Sequence, residues 1–305
     1  MAASESDAWQ ELAAALKGQD STPFAGIPAQ ILAAVTLGEP NGRRALTELL
    51  LQRGHLWGHV LEAEARGGAD PAGRRLADEA LGADGALTWD HGVITEAVLA
   101  PKAVNAEQPL HVVLQRLLEH PAGHFVKKLT LALPPYPSLR VERNHAADLE
   151  HLSTALEGAR PAVLAELELR PARAPRLEHL ALRKTDVSTV ASIATLLEGS
   201  SLPALARLRL TNSQWGVKLL EALATCPLLA RLETLDLSNG VLGSGAIKVF
   251  KTHVAAFEHL RSLTLTGNYF SASELASLER LLPQIESGAQ RAFDSARGRY
   301  TSAGE

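Results

Sequence analysis

The sequence LARLRL, at residues 205–210, indicates the architecture of the protein, because its pattern of leucines returns along the second half of the chain. The same Leu-x-x-Leu-x-Leu spacing occurs as LAELEL at 164–169, LEHLAL at 177–182, LETLDL at 232–237 and LRSLTL at 260–265. The middle leucines of the last four copies in the chain are 28, 27 and 28 residues apart. A fixed period of this length is typical of a repeat architecture.

Each long step between copies also contains a segment with apolar residues at helical spacing, such as WGVKLLEALATC at 215–226. The repeating unit is therefore a short strand, a loop and a helix. Side chains alternate across a strand, so the residues between the leucines face away from the core. Because one unit cannot bury its apolar face alone, stacked units form a continuous core. The pattern predicts an α/β solenoid with parallel strands.

These repeats resemble the leucine-rich repeat family, and their length resembles its ribonuclease-inhibitor-like subclass. The resemblance implies a horseshoe with parallel strands on the concave side and helices on the convex side. The family usually places Asn or Cys three residues after the last strand leucine, and Asn268 fits that position. Weaker copies of the pattern, VKKLTL at 126–131 and ITEAVL at 94–99, extend the predicted array upstream.

The first ninety residues contain no strand pattern and are typical of short helices. A solenoid needs its open end covered, so residues 1–90 are predicted to form a helical N-terminal cap. The stretch at 43–65 resembles the repeat-companion domain of bacterial leucine-rich repeat proteins, with Leu51, Arg53 and Gly54 at its turn. The repeat array is predicted over 91–283, and a C-terminal cap helix with a frayed tail over 284–305.

Composition excludes several classes of protein. The chain has 305 residues, is 46% hydrophobic and carries a formal net charge of −4, which is too balanced for a dedicated nucleic-acid binder. Its one cysteine, Cys226, allows neither an intramolecular disulfide nor a cysteine zinc cage. The sequence has no basic, apolar leader and no apolar run of about 18 residues. No membrane partner is therefore expected, and the predicted location is the cytoplasm.

Catalytic motifs are absent from the sequence. It contains no G-x-S-x-G, no P-loop and no G-x-G-x-x-G, so we expect no enzyme, no cofactor and no metal. His55 and His59 are four residues apart, which on a helix places two ligands on one face. A metal-dependent enzyme centred on this pair is the weakest alternative. Asp90 and His91 are neighbours, and on an extended chain they would point to opposite sides, so no acid–base couple is expected.

The predicted site is the concave face, where the residues between the strand leucines point outward. The middle of this face is rich in arginine, whose planar guanidinium suits carboxylates. Aromatic residues that follow the strands are expected at its rim. The predicted partner-binding residues are Arg170, His179, Arg183, Arg207, Arg209, Asp236, Trp215 and Tyr269. The same pattern also fits a solvated face whose arginines pair internally with Glu and Asp.

The resemblance to the leucine-rich repeat family implies a non-catalytic scaffold that binds a protein partner through the concave face, and the arginines favour an acidic partner. The alternative is a regulator of a partner enzyme, either a GTPase activator or an enzyme inhibitor, since members of the same repeat subclass act in both ways. In an activator, Arg183 would supply positive charge to the transferring phosphate. The convex helices stay open as a second possible binding side.

Overall fold

The chain folds into an α/β structure built around one sheet. The computed structural model describes residues 27–66, 85–100, 109–119, 121–133, 145–159, 163–171, 202–212 and 216–292. Within these ranges, eight strands join in a single sheet in chain order, β1 to β8. Strands β2 to β8 are parallel to their neighbours, whereas β1 and β2 are antiparallel. The predicted α/β class with parallel strands is confirmed, and the strand order is consistent with a solenoid-like fold.

The strands are short, and helices lie between most of them along the chain. The strands are β1 (Gly85–Asp90), β2 (Val93–Leu99), β3 (Lys128–Leu133), β4 (Glu166–Pro171), β5 (Arg207–Leu210), β6 (Thr234–Asp236), β7 (Ser262–Thr264) and β8 (Ile285–Glu286). The helices in the described ranges are α1 (Ala29–Thr36), α2 (Pro40–Gln52), α3 (Leu56–Ala65), α4 (Leu110–Glu119), α5 (His145–Ala159), α6 (Gly216–Thr225), α7 (Ser244–Thr252), α8 (Val254–Phe257) and α9 (Ala272–Leu281).

A ladder of leucines aligns the parallel strands. The register pairs the middle leucine of each strand with the middle leucine of the next, from β3 through β7. These residues are Leu129, Leu167, Leu208, Leu235 and Leu263, and each is 0% exposed. Because side chains alternate along a strand, the residues on either side of each leucine point to the other face of the sheet. The leucines therefore define an apolar face and a polar face.

The helices cover the apolar face. Leu114 and Leu117 of α4 and Leu220 of α6 belong to the same buried cluster as the strand leucines. Neighbouring helices also pack on one another, α4 on α5, α6 on α7 and α7 on α9. Each strand and its helix thus bury their apolar surface against the next strand and helix, so the described helices that join this cluster lie on the apolar side of the sheet.

The segment at 177–182 does not occupy its predicted place in the sheet. Strand β4 hydrogen-bonds to β3 along one edge and directly to β5 along the other. No edge of β4 or β5 is left for a strand between them, so the predicted insertion of LEHLAL at that point is wrong. The segment itself lies outside the described residues. Leu167 therefore pairs with Leu208 of the copy at 205–210, and the copy at 177–182 is passed over.

The N-terminal region contains a strand that the sequence pattern missed. Helices α1, α2 and α3 occur within residues 1–90, where short helices were predicted, and residues 1–26 and 67–84 of this region lie outside the described residues. Residues 85–90, however, form β1, which pairs with β2 through a tight turn at His91 and Gly92. Both turn residues have positive φ, 50° and 80°, as such hairpins require. The predicted boundary after residue 90 therefore cuts a hairpin in two.

The chain after residue 284 also differs from the prediction. Ile285 and Glu286 form β8, and residues 287–292 are not helical. The predicted cap helix starting at 284 is wrong over this stretch, because the backbone continues the sheet instead. The Gly267 and Leu265 amides donate to carbonyls of this segment, those of Ala289 and Glu286. Residues 293–305 lie outside the described ranges. Among the described helices, none has both the length and the apolar character needed to cross a bilayer.

Candidate functional site

The polar face of the sheet carries two rows of side chains, one on each side of the leucine ladder. Adjacent strands lie about 4.8 Å apart, so side chains at equivalent positions are neighbours. The first row consists of Glu96, Lys128, Glu166, Arg207, Thr234 and Ser262. The second row consists of Thr130, Glu168, Arg209, Asp236, Thr264 and Glu286. We call this surface the polar face.

Arg209 is the centre of an ion-pair network in the second row. Its Nη1 lies 3.2 Å from Oε2 of Glu168 on β4, and its Nε lies 3.1 Å from Oδ2 of Asp236 on β6. The Glu168 side chain is only 8% exposed, while that of Arg209 is 38% exposed. The guanidinium thus ties three neighbouring strands together and neutralises a buried carboxylate.

The pKa of Arg209 reflects these neighbours. Burial alone would lower the pKa of the guanidinium, but the charge of Glu168 and the hydrogen bond and charge of Asp236 outweigh it and raise the pKa above its ordinary value. Arg209 therefore keeps its proton throughout the accessible pH range. A network with a permanent cation at its centre cannot act as an acid or a base through that residue.

Hydroxyl and amide groups complete the hydrogen bonding of the two carboxylates. Thr211 donates to Oε1 of Glu168 at 3.3 Å, and Thr130 donates to its Oε2 at 3.5 Å. The Ser238 amide donates to Oδ1 of Asp236 at 2.9 Å. A buried charge is tolerated when its partners satisfy it in this way, and the network holds its side chains in one arrangement.

The first row is more exposed and less tightly paired. Lys128 Nζ lies 3.3 Å from Oε1 of Glu166, so these two residues neutralise each other. Arg207 and Glu96 are exposed, and neither forms an ion pair with another residue in the described part of the chain. Arg207 therefore has an accessible cationic group, unlike Arg209 two residues further on.

The structure brings three of the predicted site residues together. Arg207, Arg209 and Asp236 lie on the adjacent strands β5 and β6. Arg170 lies on β4, in register with Ala132 of β3, and its side chain is not described. His179, Arg183 and Trp215 lie outside the described residues. The regulator hypothesis stays a prediction in both its forms, the GTPase activator, for which Arg183 would supply the positive charge, and the enzyme inhibitor.

Tyr269 does not occupy the exposed rim position that the sequence predicts. The residue is 6% exposed, and its ring lies under the guanidinium of Arg291, whose Cζ is 5.1 Å from the ring centre. Arg291 Nε also donates to the Gly267 carbonyl at 2.6 Å. The chain beyond β8 folds back over this ring, which sequence periodicity alone does not reveal.

The prediction omitted two carboxylates that belong to the site. Glu166 and Glu168 follow the same strand alternation as the arginines and lie beside them in register. The signal for both was present in the sequence, because LAELEL aligns with LARLRL residue by residue and pairs glutamate with arginine twice. The sequence analysis left two interpretations of the arginine cluster open. Arg209 pairs internally with carboxylates, as the second interpretation expects, whereas Arg207 has an accessible cationic group, as the first interpretation requires.

The histidine pair proposed as a metal site does not share a helix face. His55 is the residue before α3, and its Nδ1 accepts a hydrogen bond from the Trp57 amide at 3.1 Å. His59 lies within α3, has a 67% exposed side chain and is 4.0 Å from Glu62. Burial lowers the pKa of His55. Within the described ranges, no three His, Cys, Asp or Glu side chains form a group that could hold a metal.

Asp90 and His91 do contact each other, contrary to the prediction. Asp90 Oδ1 lies 2.6 Å from His91 Nδ1, and His91 has a positive φ of 50° instead of the extended backbone that the prediction assumed. The other oxygen of Asp90 pairs with Arg43 of α2, and Trp57 of α3 donates to the Gly92 carbonyl at 3.2 Å. The cluster joins the N-terminal helices to the β1–β2 hairpin.

Comparisons with known proteins give no family for this chain. No family model matches the sequence, and no curated protein sequence matches it. Among solved structures, a crystal structure of a Bacteroides fragilis protein is 14% identical to this chain, with a TM-score of 0.36, over 63% of this chain and 73% of that one. A likeness of this size supports no argument about fold or function.

Proposed function

We propose that the protein is a non-catalytic binding module that holds a protein partner on its polar face. The observation that carries this proposal is the polar face across seven parallel strands, which the leucine layer separates from the described helices. Ion pairs within the second row fix its side chains before a partner arrives. A surface that is already ordered loses less conformational entropy on binding.

We also propose that the array is a leucine-rich repeat horseshoe. Asn268 supports this assignment, since it is 0% exposed and bridges two successive turns of the chain. Its Nδ2 donates to the carbonyls of Leu237 and Leu265 at 2.9 and 3.0 Å, and its Oδ1 accepts from the Leu242 amide at 3.0 Å. In this proposal the polar face is the concave side of the horseshoe.

The N-terminal helices act as the cap of this array in the proposal. Trp57 is 1% exposed and packs into the same buried cluster as the sheet leucines. Its bond to Gly92 and the Arg43–Asp90 ion pair fasten α2 and α3 to the first hairpin. Covering the end of the sheet in this way removes an apolar surface that would otherwise meet water.

Arg207 is the residue whose change tests binding most directly. Its side chain is exposed, so Arg207→Glu reverses a charge on the polar face without removing an ion pair of the described network. Arg209→Glu is a poor test, because it would place a third carboxylate beside Glu168 and Asp236 and disturb the fold. Lys218→Glu is the matched control, since it makes the same charge change at an exposed position on α6, across the leucine core.

The experiment combines these variants with site-specific crosslinking. A photo-reactive amino acid replaces Thr234 on the polar face or Lys218 on α6, and proteins crosslinked in the source lysate are identified by mass spectrometry. We expect a reproducible partner at position 234 and none at 218. Arg207→Glu should then weaken binding of that partner at least tenfold and reduce its salt dependence, whereas Lys218→Glu should not. A partner crosslinked at 218 alone would overturn the assignment to the polar face.

A further inference from the structure

Three exposed charges remain on the polar face when the ion pairs within it are set aside. They are Glu96 on β2, Arg207 on β5 and Glu286 on β8. None of the three forms an ion pair within the part of the chain that the structure describes, whereas the other charged side chains of the two rows form the pairs given above. The exposed charges therefore follow the order negative, positive, negative across the sheet.

The strand order sets the spacing of these charges. Strands β2 and β5 are three places apart, so the backbones of Glu96 and Arg207 are about 14 Å apart. Glu286 lies three strands further on, but its carboxylate accepts hydrogen bonds from Ser262 of β7 at 2.8 Å and from Thr264 at 3.3 Å. These bonds hold the carboxylate over β7 and β8, about 10–14 Å across the sheet from Arg207.

Hydroxyl groups lie between Arg207 and Glu286. Thr234 and Ser262 follow Arg207 in register along the first row, and both are partly exposed. The Thr234 hydroxyl makes no hydrogen bond within the described ranges. A hydroxyl both donates and accepts, so it can bond to the free N–H and C=O groups of an extended chain, whereas a helix uses these groups internally.

The charge balance of the two rows argues against a uniformly acidic partner. The rows contain five carboxylates and three cations, and the outermost exposed charges are both negative. A uniformly acidic segment would be attracted to Arg207 but repelled by Glu96 and Glu286. Only a segment whose charges follow the order positive, negative, positive is attracted at all three positions.

We propose that the partner places an extended segment on the polar face, with a carboxylate side chain at Arg207 and a cationic side chain four residues away on each side, at Glu96 and Glu286. This inference rests on the proposed binding function and specifies the chemistry of the partner. An extended chain advances about 3.4 Å per residue, so four residues span about 14 Å, and side chains an even number of residues apart point to the same face. A helix needs about nine or ten residues to span the same distance, which turns the second side chain about 80–180° away from the first.

The test uses two synthetic peptide libraries as probes on the full-length protein. In the first, peptides of about nine residues with blocked ends carry lysine at both ends, aspartate in the centre and random neutral residues between them. In the second, all three charges are reversed. Retained peptides are sequenced, and their binding is measured by fluorescence anisotropy at low and high salt. A photo-reactive amino acid at Thr234 reports binding on the polar face, and one at Lys218 on α6 is the control position.

We expect binders that crosslink at position 234 from the first library only, with weaker binding at high salt. Glu96→Gln and Glu286→Gln should each weaken this binding about threefold, whereas Glu221→Gln, the matched control at an exposed position on α6, should not. Arg207→Glu should reverse the preference at the centre of the peptide from aspartate to lysine.

Two outcomes would overturn this inference, and they differ in what they mean for the proposed function. Equal crosslinking at position 234 by both libraries would retain a binding module on the polar face but refute the charge order. Failure of the first library to yield any peptide that crosslinks at 234 would refute the extended segment itself, while the lysate crosslinking experiment decides separately whether the face binds a protein.

Discussion

Arg207 and Arg209 lie on the same strand but differ in the side chains that surround them. Both lie on the polar face of β5, but the strand register places Arg209 between two carboxylates, one of them 8% exposed. The register places Arg207 beside Glu166, which is already paired with Lys128. Arg209 is therefore held in the ion-pair network of the sheet, whereas the Arg207 side chain is exposed, which is why the proposed function assigns the partner contact to Arg207.

Replacing each arginine by methionine should separate these roles. Arg209→Met leaves Glu168 buried without its cation, so we expect a loss of about 2 kcal/mol in the free energy of unfolding, scaled down for the partial exposure of Arg209. Arg207→Met should change it by less than about 0.5 kcal/mol. Urea denaturation measures both. Adding Glu168→Gln to Arg209→Met should restore part of the loss, and equal effects of the two single variants would contradict the ion-pair network.

His124 gives the molecule a dependence on pH. It lies in the 3₁₀ turn Pro121–Phe125, where burial lowers its pKa to about 4 from an ordinary value of 6.5. Between pH 6.5 and about 4, the histidine is therefore protonated in the unfolded chain and neutral in the folded chain. The stability that this histidine preserves above pH 6.5 is lost progressively as the pH falls from 6.5 to about 4.

Urea denaturation at pH 7.5 and pH 5 tests this dependence. The wild type should lose up to about 2 kcal/mol more than His124→Gln between these two pH values. The lowered pKa of His55 acts in the same direction and is common to both proteins, so the comparison isolates His124. A variant that loses as much stability as the wild type would rule out His124 as the source.

At the scale of the element, the sequence predicts the strands that repeat one leucine pattern. It does not predict the strand pairings that occur only once in the sheet. The leucine alternation identified strands β3 to β7 because five copies of one pattern agree with each other. It misplaced 177–182, because a local pattern does not determine which strands hydrogen-bond, and β4 and β5 already use their facing edges on each other. It missed β1 because GALTWD belongs to a hairpin whose turn needs two residues with positive φ, which periodicity does not encode. The arginine pairings required the register as well as the pattern.

Helix packing predicts that alanine substitutions at two glycines change the stability of the protein in opposite directions. A Cβ on Gly42 of α2 would lie 2.5 Å from Cβ of Ala34 and 2.7 Å from the backbone of α1. Gly42→Ala should therefore cost about 2–3 kcal/mol, since backbone cannot easily move away. A Cβ on Gly158 of α5 meets nothing within 4 Å, so Gly158→Ala should stabilise the protein by about 0.5 kcal/mol through helix propensity. Thermal unfolding distinguishes the two, and two effects of the same sign would refute this packing of α1 on α2.

At the scale of the whole molecule, each strand of the described sheet hydrogen-bonds only to the strands next to it in chain order. The two ends of the sheet are connected only through a series of nearest-neighbour strand pairs, as in repeat proteins. The same bond pattern recurs along this series. Asn268 joins the Leu237 carbonyl to the Leu242 amide, and Gln290 joins the equivalent groups of the next turn, the Leu265 carbonyl and the Phe270 amide, at 3.0 and 3.4 Å.

Removing one of these bridges should loosen the molecule locally. Asn268→Ala leaves buried carbonyl and amide groups unsatisfied, at a cost of about 2 kcal/mol, or about 30-fold faster amide exchange. Hydrogen exchange read by mass spectrometry should show this acceleration in β6 and β7 and none in the β1–β2 hairpin. Gln290→Ala, whose bridge is longer and less buried, should produce a smaller change confined to β7 and β8. The same acceleration in all eight strands would instead mean that the sheet unfolds as one unit, and the solenoid description of its energetics would fail.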